Sequence, residues 1–323
     1  MLFNPMQIDR GNYPDAVTPW EDPGWRAAAL AWLDRKLSAL GLRETGPRRV
    51  RLRPWSVIIR VEADRPVWFK ANPPGSRFEA ALTEALSRWT PGHVLTPYAV
   101  DAERGWSLLP DGGEMLRNLP AEPRHWVEVL TQYADLQRSL VSHTDELLGL
   151  GVPDARVAEL PGIFDKTIAG NQTLSAADRE RLQGFRPRLV EWCEELAGIG
   201  VPDSLDHADL HGGQILVGRG RFTFFDWGDA NVSHPFCSLL VAAEHAGEQH
   251  GADIIPRLRD AYLEPWTGDH CASELRRAAG LAWRLGQLGR AGSWGRLFPD
   301  AYPGSIPVGD AERAAALLRL MGS

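Results

Sequence analysis

The sequence predicts an α+β protein with two lobes, a small one built on an antiparallel sheet and a larger one that is mainly helical. Two observations lead to this expectation. Short apolar runs of strand length dominate the chain up to Leu109, and apolar residues recur at helical spacing from Pro110 onwards. Strands followed by helices, in a chain of 323 residues with room for two modest domains, are typical of α+β architecture. We therefore place the N-terminal lobe at residues 1–109 and the C-terminal lobe at 110–323.

The composition narrows the class of protein. A net charge of −7 argues against a nucleic-acid partner, because phosphate binding needs a basic surface. The three cysteines have no metal-binding spacing, which is typical of reduced thiols in a cytoplasm. The N-terminus has no leader-like apolar segment, and no window of about 18 apolar residues predicts a membrane span. We expect a soluble cytoplasmic protein, monomeric or homodimeric, without a membrane or nucleic-acid partner.

The N-terminal elements are predicted as follows. Residues 1–20 are rich in Pro, Asn and Asp, and we expect an irregular arm. Asp22 and Pro23 suit the cap and first position of a helix that reaches Gly41. The remaining elements of this lobe are strands at Arg49–Leu52, Val57–Val61 and Val67–Lys70, a helix at about 77–89, and strands at His93–Val100 and Trp106–Leu109.

The C-terminal lobe is predicted to be helical on both sides of a short hairpin. Glu122–Leu140 has an apolar face of helical spacing, and Ser175 suits the cap of a helix that Pro187 kinks. Gly149–Pro161 has the composition of a loop. Further helices are predicted near residues 236–248, 252–264, 273–291 and 310–321.

Polar side chains gather at the ends of that hairpin. Two apolar runs, Ile215–Val217 and Phe222–Phe225, are joined by a glycine-containing turn and predict paired strands. Because the outer ends of paired strands meet, the residues that precede and follow the hairpin come close together. The polar ones are His207, Asp209, His211, Gln214 and Asp226. Their convergence indicates a functional site.

The residue types and their order indicate phosphoryl transfer. An aspartate beside a hydroxyl can orient it or accept its proton, and a second carboxylate with an amide oxygen suits Mg²⁺. Protein kinases place an Asn five residues after the catalytic Asp, and an Asp-Phe-Gly further on. Here Gln214 lies five residues after Asp209, and Asp226-Trp227-Gly228 follows the second strand. The spacing and the order both agree with this chemistry.

The stretches His207–Gln214 and Phe225–Ala230 resemble the two signature motifs of the aminoglycoside phosphotransferase and choline-kinase-like small-molecule kinases. The resemblance implies a protein-kinase-like fold, ATP and Mg²⁺ as cofactors, and Asp209 as the catalytic base. It also implies Gln214 and Asp226 as Mg²⁺ ligands. Most members have Asn where this chain has Gln214, so the amide oxygen must come from slightly further back. His207 and His211 are expected to support the loop, and Asp229 is either a turn residue or an acceptor contact.

A kinase of this kind needs a cation on the nucleotide phosphates. Lys70 ends the apolar strand Val67–Lys70, where a lysine is costly to bury without an anion. We expect its partner to be Glu79 on the next helix, with Glu84 as the second choice. Two other readings remain open, because a strand lysine can reach solvent and Ser76-x-x-Glu79 is also a capping box.

The remaining nucleotide contacts carry weaker signals. The segment from Arg48 to Val61 contains no glycine, although the first hairpin should cover the phosphates, so Ser56 is our candidate donor there. In the family the segment that connects the lobes binds adenine through its backbone. From its position in Trp106–Gly113, Leu109 is the candidate for that contact.

The acceptor is expected to be a small molecule. No Ala-Pro-Glu follows Asp226-Trp227-Gly228, so the chain lacks the segment that presents a peptide to a protein kinase. Aminoglycosides, other antibiotics, amino sugars and amino alcohols are the candidates, and the family also serves neutral sugars. Two alternatives remain. One is a kinase-fold protein that binds a nucleotide or metabolite without transfer, and the other is a zinc hydrolase that uses His207, Asp209 and His211.

Overall fold

The computed structural model describes residues 6–120, 122–218, 220–302 and 309–322. The chain divides into two compact units. The first comprises residues 1–113 and 296–305, and the second comprises 114–295 and 306–323. The assignment of the chain before residue 110 to nucleotide binding and of the rest to catalysis stays a prediction.

The first unit is a sheet with two helices. Its elements are β1 (Gln7–Asp9), α1 (Pro23–Ala39), β2 (Arg49–Arg53), β3 (Ser56–Val61), β4 (Val67–Ala71), α2 (Glu79–Trp89), β5 (Ala99–Asp101) and β6 (Trp106–Pro110). The sheet has six strands in the order β1-β2-β3-β4-β6-β5. All neighbouring strands are antiparallel except β1 and β2, which are parallel. The sheet is therefore mixed.

Two expectations about this unit are wrong. The arm predicted to be irregular contains β1, which pairs in register with β2. Its three residues are all exposed, so no apolar alternation could reveal it. The strand predicted over His93–Val100 is replaced by the shorter Ala99–Asp101, which pairs with β6. Residues 95–97 belong to no strand or helix.

An aromatic cluster packs α1 against one face of the sheet. Asp22 caps the helix as predicted, its Oδ1 accepting a hydrogen bond of 2.7 Å from the Gly24 N–H. The rings of Trp32, Phe69 and Trp106 meet edge to face, with centroids 5.7 to 6.0 Å apart. Because successive side chains of a strand leave on opposite faces, Lys70 is directed away from this cluster. The packing of Phe69 thus fixes the direction of Lys70.

The second unit is mainly helical. Its helices are α3 (Pro123–Leu140), α4 (Thr144–Gly149), α5 (Leu160–Gly170), α6 (Ala176–Ile199), α7 (Leu239–His250), α8 (Ile255–Leu263), α9 (Ala272–Ser293) and α10 (Asp310–Gly322). Its strands are β7 (Ser204–Asp206), β8 (Ile215–Val217), β9 (Phe222–Phe224) and β10 (Asn231–Ser233). Helix α6 runs through Pro187 without interruption. None of the described helices is long and apolar enough to cross a membrane.

Two antiparallel strand pairs place the polar residues of this unit. Strands β8 and β9 form the predicted hairpin, with Ile215 opposite Phe224. Strands β7 and β10 form a second pair, with Asp206 opposite Asn231. The chain leaves β7, crosses the polar loop and enters the hairpin, and it then returns through Asp226 to β10. This route brings the loop after β7 next to the turn that follows β9.

Candidate active site

The loop that follows β7 is held by buried polar groups. Ala208 adopts a φ of 60°, a conformation that residues other than glycine seldom take. Its N–H donates a 2.9 Å hydrogen bond to Oδ1 of Asp206, which also accepts one of 2.6 Å from Ser238. The N–H of His207 donates to the hydroxyl oxygen of Tyr133 at 3.0 Å. These bonds fix the backbone immediately before Asp209.

A buried glutamine on α3 is hydrogen-bonded to the backbone that flanks this loop. Gln137 is fully buried, and its Nε2 donates to the carbonyls of Leu205 at 2.7 Å and Pro235 at 3.1 Å. The hydroxyl of Ser204 donates in turn to the carbonyl of Gln137 at 2.7 Å. From the sequence alone, Gln137 belonged to an apolar helix face and had no role. A glutamine at a core position was the available signal.

His207 ties the loop to the segment before Asp226. It is fully buried, and its Nε2 donates to the carbonyl of Phe225 at 2.9 Å. Its ring lies 4.7 Å from that of Trp227, which is itself buried in the core. An Nε2 bonded in this way is not available to a metal ion or to a substrate. His207 thus links the loop before Asp209 to the segment before Asp226, and its supporting role stays a prediction.

Asp226 lies beside Gln214 at the open end of the hairpin. The N–H of Phe225 donates to the carbonyl of Gln214 at 3.1 Å, which continues the strand register by one pair. Asp226 comes next along the chain, with a φ of 66°. A left-handed aspartate is strained in a way that is common where side chains are held for function. The turn thus places Asp226 next to the polar loop that follows β7.

Asp209 faces three neighbours of different chemistry. Its Oδ2 accepts a hydrogen bond of 3.3 Å from Nε2 of Gln214 and lies 3.5 Å from Nε2 of His211. Its Oδ1 lies 3.9 Å from Nη1 of Arg290 on α9. The structure therefore brings Asp209, Gln214 and His211 together, as their spacing predicted. Arg290 is an addition, and no pattern in the sequence connected it to this loop.

The pKa of the Asp209 carboxyl group is well above its ordinary value. Burial raises its pKa to about 7, and the negative charges of Asp229 and Asp226 act in the same direction. The positive charge of Arg290 opposes them. A general base with a pKa close to neutral pH is well matched to proton transfer. Asp229, which the sequence left undecided, thus influences the group proposed to do chemistry.

His211 is neutral near pH 7. Its Nδ1 accepts a 2.9 Å hydrogen bond from the N–H of Gly213, so the ring proton sits on Nε2, facing Asp209. Burial lowers its pKa to about 4, and the neighbouring His245, with its ring 5.5 Å away, adds to the effect. A neutral Nε2–H beside a carboxylate orients that carboxylate and cannot act as a base.

The pH dependence of the reaction tests this arrangement. The predicted role of Asp209 as a base requires an ionised carboxylate, so kcat/KM should rise with pH through about 7. In Asp229→Asn one cause of the raised pKa is gone, the pKa of Asp209 falls, and the midpoint of this rise moves to lower pH. The control Asp165→Asn, which alters an exposed ion pair on α5, should leave the midpoint in place. A midpoint that stays or moves upward in Asp229→Asn would contradict the assignment.

In the first unit, Lys70 and Glu79 form a buried ion pair. The Nζ of Lys70 lies 2.8 Å from Oε1 and 2.6 Å from Oε2 of Glu79. The two residues are only 8% and 4% exposed. The lysine therefore does not reach solvent along the strand, which was one of the readings that the sequence left open. A two-oxygen contact of this kind fixes the position of the ammonium group.

The other readings of Glu79 also fail. Helix α2 begins at Glu79 with Phe78 at its cap and no side-chain cap hydrogen bond, so Ser76 is not the N-cap residue of this helix and Glu79 is not its third residue. Glu84, the second choice as a partner, is half-buried and lies 3.4 Å from Arg88 of the next helical turn. Glu79 is thus the carboxylate that contacts Lys70.

Ser56 and Leu109 are placed by the same sheet. Ser56 begins β3, opposite Arg53, and is buried. Leu109 lies in β6 opposite Trp68. Neither position shows a contact that decides whether it binds a nucleotide, and both roles stay predictions.

The oxygen donors of the second unit suit Mg²⁺ better than Zn²⁺. Mg²⁺ in phosphoryl-transfer sites takes one or two protein oxygens and completes its shell with phosphates and water. Gln214 and Asp226, the predicted ligands, carry oxygens of this kind, and the pKa of Asp209 is raised mainly by burial, with the charges of Asp229 and Asp226 acting in the same direction. Within the described ranges no group of three or more His, Cys, Asp or Glu side chains could hold a metal ion. The zinc-hydrolase alternative therefore has no support.

Comparison with known proteins agrees with the two motifs. The family model described as "Phosphotransferase enzyme family" matches residues 56–276, more than half of the chain. No curated protein sequence matches the chain. The matched range contains Lys70, Glu79, the loop of Asp209 and the turn of Asp226.

Solved structures of similar fold come from several kinds of phosphotransferase. One is a choline/ethanolamine kinase family protein from Mesorhizobium loti, 17% identical, with a TM-score of 0.59 over 91% of this chain and 95% of that one. Another is macrolide 2'-phosphotransferase from Brachybacterium faecium, 17% identical, with a TM-score of 0.55 over 90% and 98%. A third is aminoglycoside 2'-phosphotransferase-IIIa in complex with GDP, 14% identical, with a TM-score of 0.57 over 91% and 98%.

These identities are low, so the structures establish the fold, and the family match establishes the class. The small sheet unit and the larger helical unit are those expected of a protein-kinase-like α+β protein, with β1 making the sheet mixed. The chain belongs to the phosphotransferase enzyme family and is a small-molecule kinase of protein-kinase-like fold.

Proposed function

We propose that the protein transfers the γ-phosphate of ATP to a hydroxyl group of a small molecule in a Mg²⁺-dependent reaction. The observation that carries this proposal is the environment of Asp209. A carboxylate with a pKa of about 7 lies at the end of a fixed loop, hydrogen-bonded to one proposed metal ligand and influenced by the charge of the other. This is the environment that a hydroxyl-activating base requires.

Each residue has a separate task in this reaction. Asp209 orients the acceptor hydroxyl and takes its proton as the oxygen forms a bond to the γ-phosphorus and the bond to the β-phosphate oxygen breaks. The nucleoside diphosphate leaves. Mg²⁺, held by Gln214 and Asp226, would neutralise negative charge on the phosphate oxygens. Lys70 binds phosphate oxygens, and Glu79 fixes the direction of its ammonium group.

Other parts of the proposal rest on fewer observations. One of the similar structures holds GDP, which favours a purine nucleotide and makes the choice between ATP and GTP a matter for measurement. We assign Ser56 and the backbone of Leu109 to nucleotide contacts, and His207 and His211 to support of the loop. We place the protein in the cytoplasm, as a monomer or homodimer.

The test is a screen for acceptor-dependent release of ADP or GDP. Aminoglycosides, other antibiotics, amino sugars, neutral sugars and amino alcohols are offered with each nucleotide, with and without Mg²⁺. We expect at least one acceptor to stimulate release only when Mg²⁺ is present. In Asp226→Asn the stimulated rate should fall by about 100-fold or more, because the variant loses a charged metal ligand.

The screen also separates this proposal from a kinase-fold protein that binds nucleotide without transferring phosphate. Such a protein would bind ATP, and Asp226→Asn would weaken that binding, yet no acceptor would increase the rate of release. A rate in Asp226→Asn equal to that of the unchanged protein would contradict the proposed role of Asp226 even if transfer occurs.

A further inference from the structure

The guanidinium group of Arg290 lies near Asp209 without a direct hydrogen bond to it. Its Nη1 lies 3.9 Å from Oδ1 of Asp209, which is too far for a hydrogen bond. The same Nη1 is buried and has no hydrogen-bond acceptor within the part of the chain that the structure describes. A buried guanidinium nitrogen without an acceptor is costly, so such groups normally meet an oxygen. The geometry leaves this N–H for an oxygen that none of the described residues supplies.

Two histidines and a glutamate lie in the surroundings of Arg290. His211 and His245 both have lowered pKa values because of burial, so neither ring gains a proton that an anion would have to balance. Glu244 is the acidic group nearest in sequence to these rings. Burial raises the pKa of Glu244, the positive charges of Arg290 and Arg319 oppose that shift, and the negative charge of Glu248 adds to it.

A second guanidinium lies on the glycine side of the same loop. A Cβ at Gly213 would stand 2.8 Å from Nη1 of Arg117, so the arginine side chain packs against the loop itself. The charge of Arg117 also contributes to the lowered pKa of His211. The loop that presents Asp209 therefore has arginines at two places. An ammonium group next to either guanidinium would meet a like charge, whereas the carboxylates of Asp226 and Asp229 also act on Asp209, so the contact with Arg290 decides between the two kinds of acceptor.

We propose that Arg290 binds an oxygen of the acceptor next to the reactive hydroxyl, so that the acceptor is a vicinal diol or a hydroxy acid and not an amino alcohol. The inference rests on the proposed function and narrows its acceptor class. Arginine suits this task because its planar fork of N–H groups meets hydroxyl and carboxylate oxygens in a fixed geometry. With the reactive hydroxyl at Asp209, a neighbouring oxygen lies within reach of Nη1, and an ammonium in its place would face a like charge.

The test uses matched acceptors that differ only in the group beside the reactive hydroxyl. Ethanolamine, ethylene glycol and glycolate form one set, and glucosamine and glucose form a second pair. The quantity measured is the ratio of kcat/KM for the oxygen-bearing member to that for the amine. This ratio is informative because any general effect on Asp209 or on the nucleotide cancels. We expect the unchanged protein to have a higher kcat/KM for the oxygen-bearing members than for the amines. Comparison of glycolate with ethylene glycol distinguishes a preference for a carboxylate from a preference for a neutral hydroxyl.

Arg290→Met should lower this ratio by about tenfold or more, because it removes a charge-assisted hydrogen bond to one acceptor and relieves repulsion of the other. The KM for the nucleotide should change by no more than a few fold, and Arg290→Lys should restore part of the ratio. The control is Arg277→Met on the same helix, where an exposed arginine contacts Glu195. It removes the same charge away from Asp209 and should leave the ratio unchanged.

Two results would overturn the inference while the proposed function stands. One is preference of the unchanged protein for the amines, with transfer that still depends on Asp226. The other is an unaltered ratio in Arg290→Met. Absence of transfer to every acceptor, in protein that binds ATP, would remove the proposed function and this inference together.

Discussion

Asp209→Asn should lower the turnover number by about 10²- to 10⁴-fold, the range that a positioned general base contributes. Asparagine keeps the shape of the side chain and can still contact Gln214 and His211, but it cannot accept a proton. Binding of Mg²⁺ and nucleotide should therefore stay within a few fold, because neither proposed metal ligand is altered. Single-turnover kinetics and equilibrium nucleotide binding measure the two quantities separately.

The same substitution should stabilise the fold. The folded-state pKa of Asp209 is about 7, above its ordinary value of 3.8. The contribution of this group to stability is therefore fully present below about pH 4 and is lost as pH rises through 7. Asparagine carries no charge at any of these pH values, so the variant should have a higher Tm than the unchanged protein above pH 7. Asp165→Asn, on an exposed pair with Arg186, should alter neither turnover nor this pH trend.

Normal turnover in Asp209→Asn would end the assignment of Asp209 as the base. A fall in turnover accompanied by an equal loss of nucleotide binding would instead place Asp209 among the groups that hold the nucleotide. The two outcomes are distinct because binding is measured without an acceptor.

Breaking the ion pair between Lys70 and Glu79 should have the largest effect on stability. Removal of one partner leaves the other charge buried without its ion-pair contact, which costs about 3–5 kcal/mol. We expect that loss in Lys70→Met and in Glu79→Met. The double variant should recover most of it, because two apolar side chains replace a pair whose own desolvation was costly. Denaturant unfolding of the four proteins gives the coupling energy directly.

An exposed pair in the same unit provides the matched control. Arg43 and Asp64 lie 3.2 Å apart with side chains 86% and 37% exposed, so Arg43→Met should cost about 1 kcal/mol or less. Losses that simply add in the Lys70/Glu79 double variant would mean that the two side chains act independently. All three variants at the buried pair should also bind nucleotide poorly, since each lacks the lysine or its orientation.

The sequence allowed candidate site residues to be predicted where they lie close together along the chain. The interval between Asp209 and Gln214, and the strand–turn–strand before Asp226, needed only short-range spacing and strand register. Lys70 was visible because an apolar strand ends in a lysine. Alternation along that strand then decided which face it occupies, and Glu79 followed from helical spacing.

The remainder depended on contacts that are remote along the chain. Arg290 is one of several arginines on α9, and nothing in its immediate sequence distinguishes it from Arg277, which contacts Glu195 at the surface. Aspartate is a common residue in turns, so the residue type of Asp206 did not indicate its contacts. The structure shows its Oδ1 accepting hydrogen bonds from the N–H of the left-handed Ala208 and from the hydroxyl of Ser238. Strand β1 has no apolar residue pattern because its side chains are exposed. Apolar periodicity in a sequence reveals which faces of helices and strands are buried. It does not reveal polar contacts between distant residues or a fully exposed strand.

Transfer of the γ-phosphate itself is the most direct measurement. Nucleotide labelled at the γ position is incubated with Mg²⁺ and the acceptor that stimulates release, and the product is identified by mass spectrometry. The arrangement of Asp209, Gln214 and Asp226 predicts one phosphorylated hydroxyl for each nucleoside diphosphate formed, with product lost in Asp226→Asn. Label found only in inorganic phosphate, or product formed equally by Asp226→Asn, would contradict it.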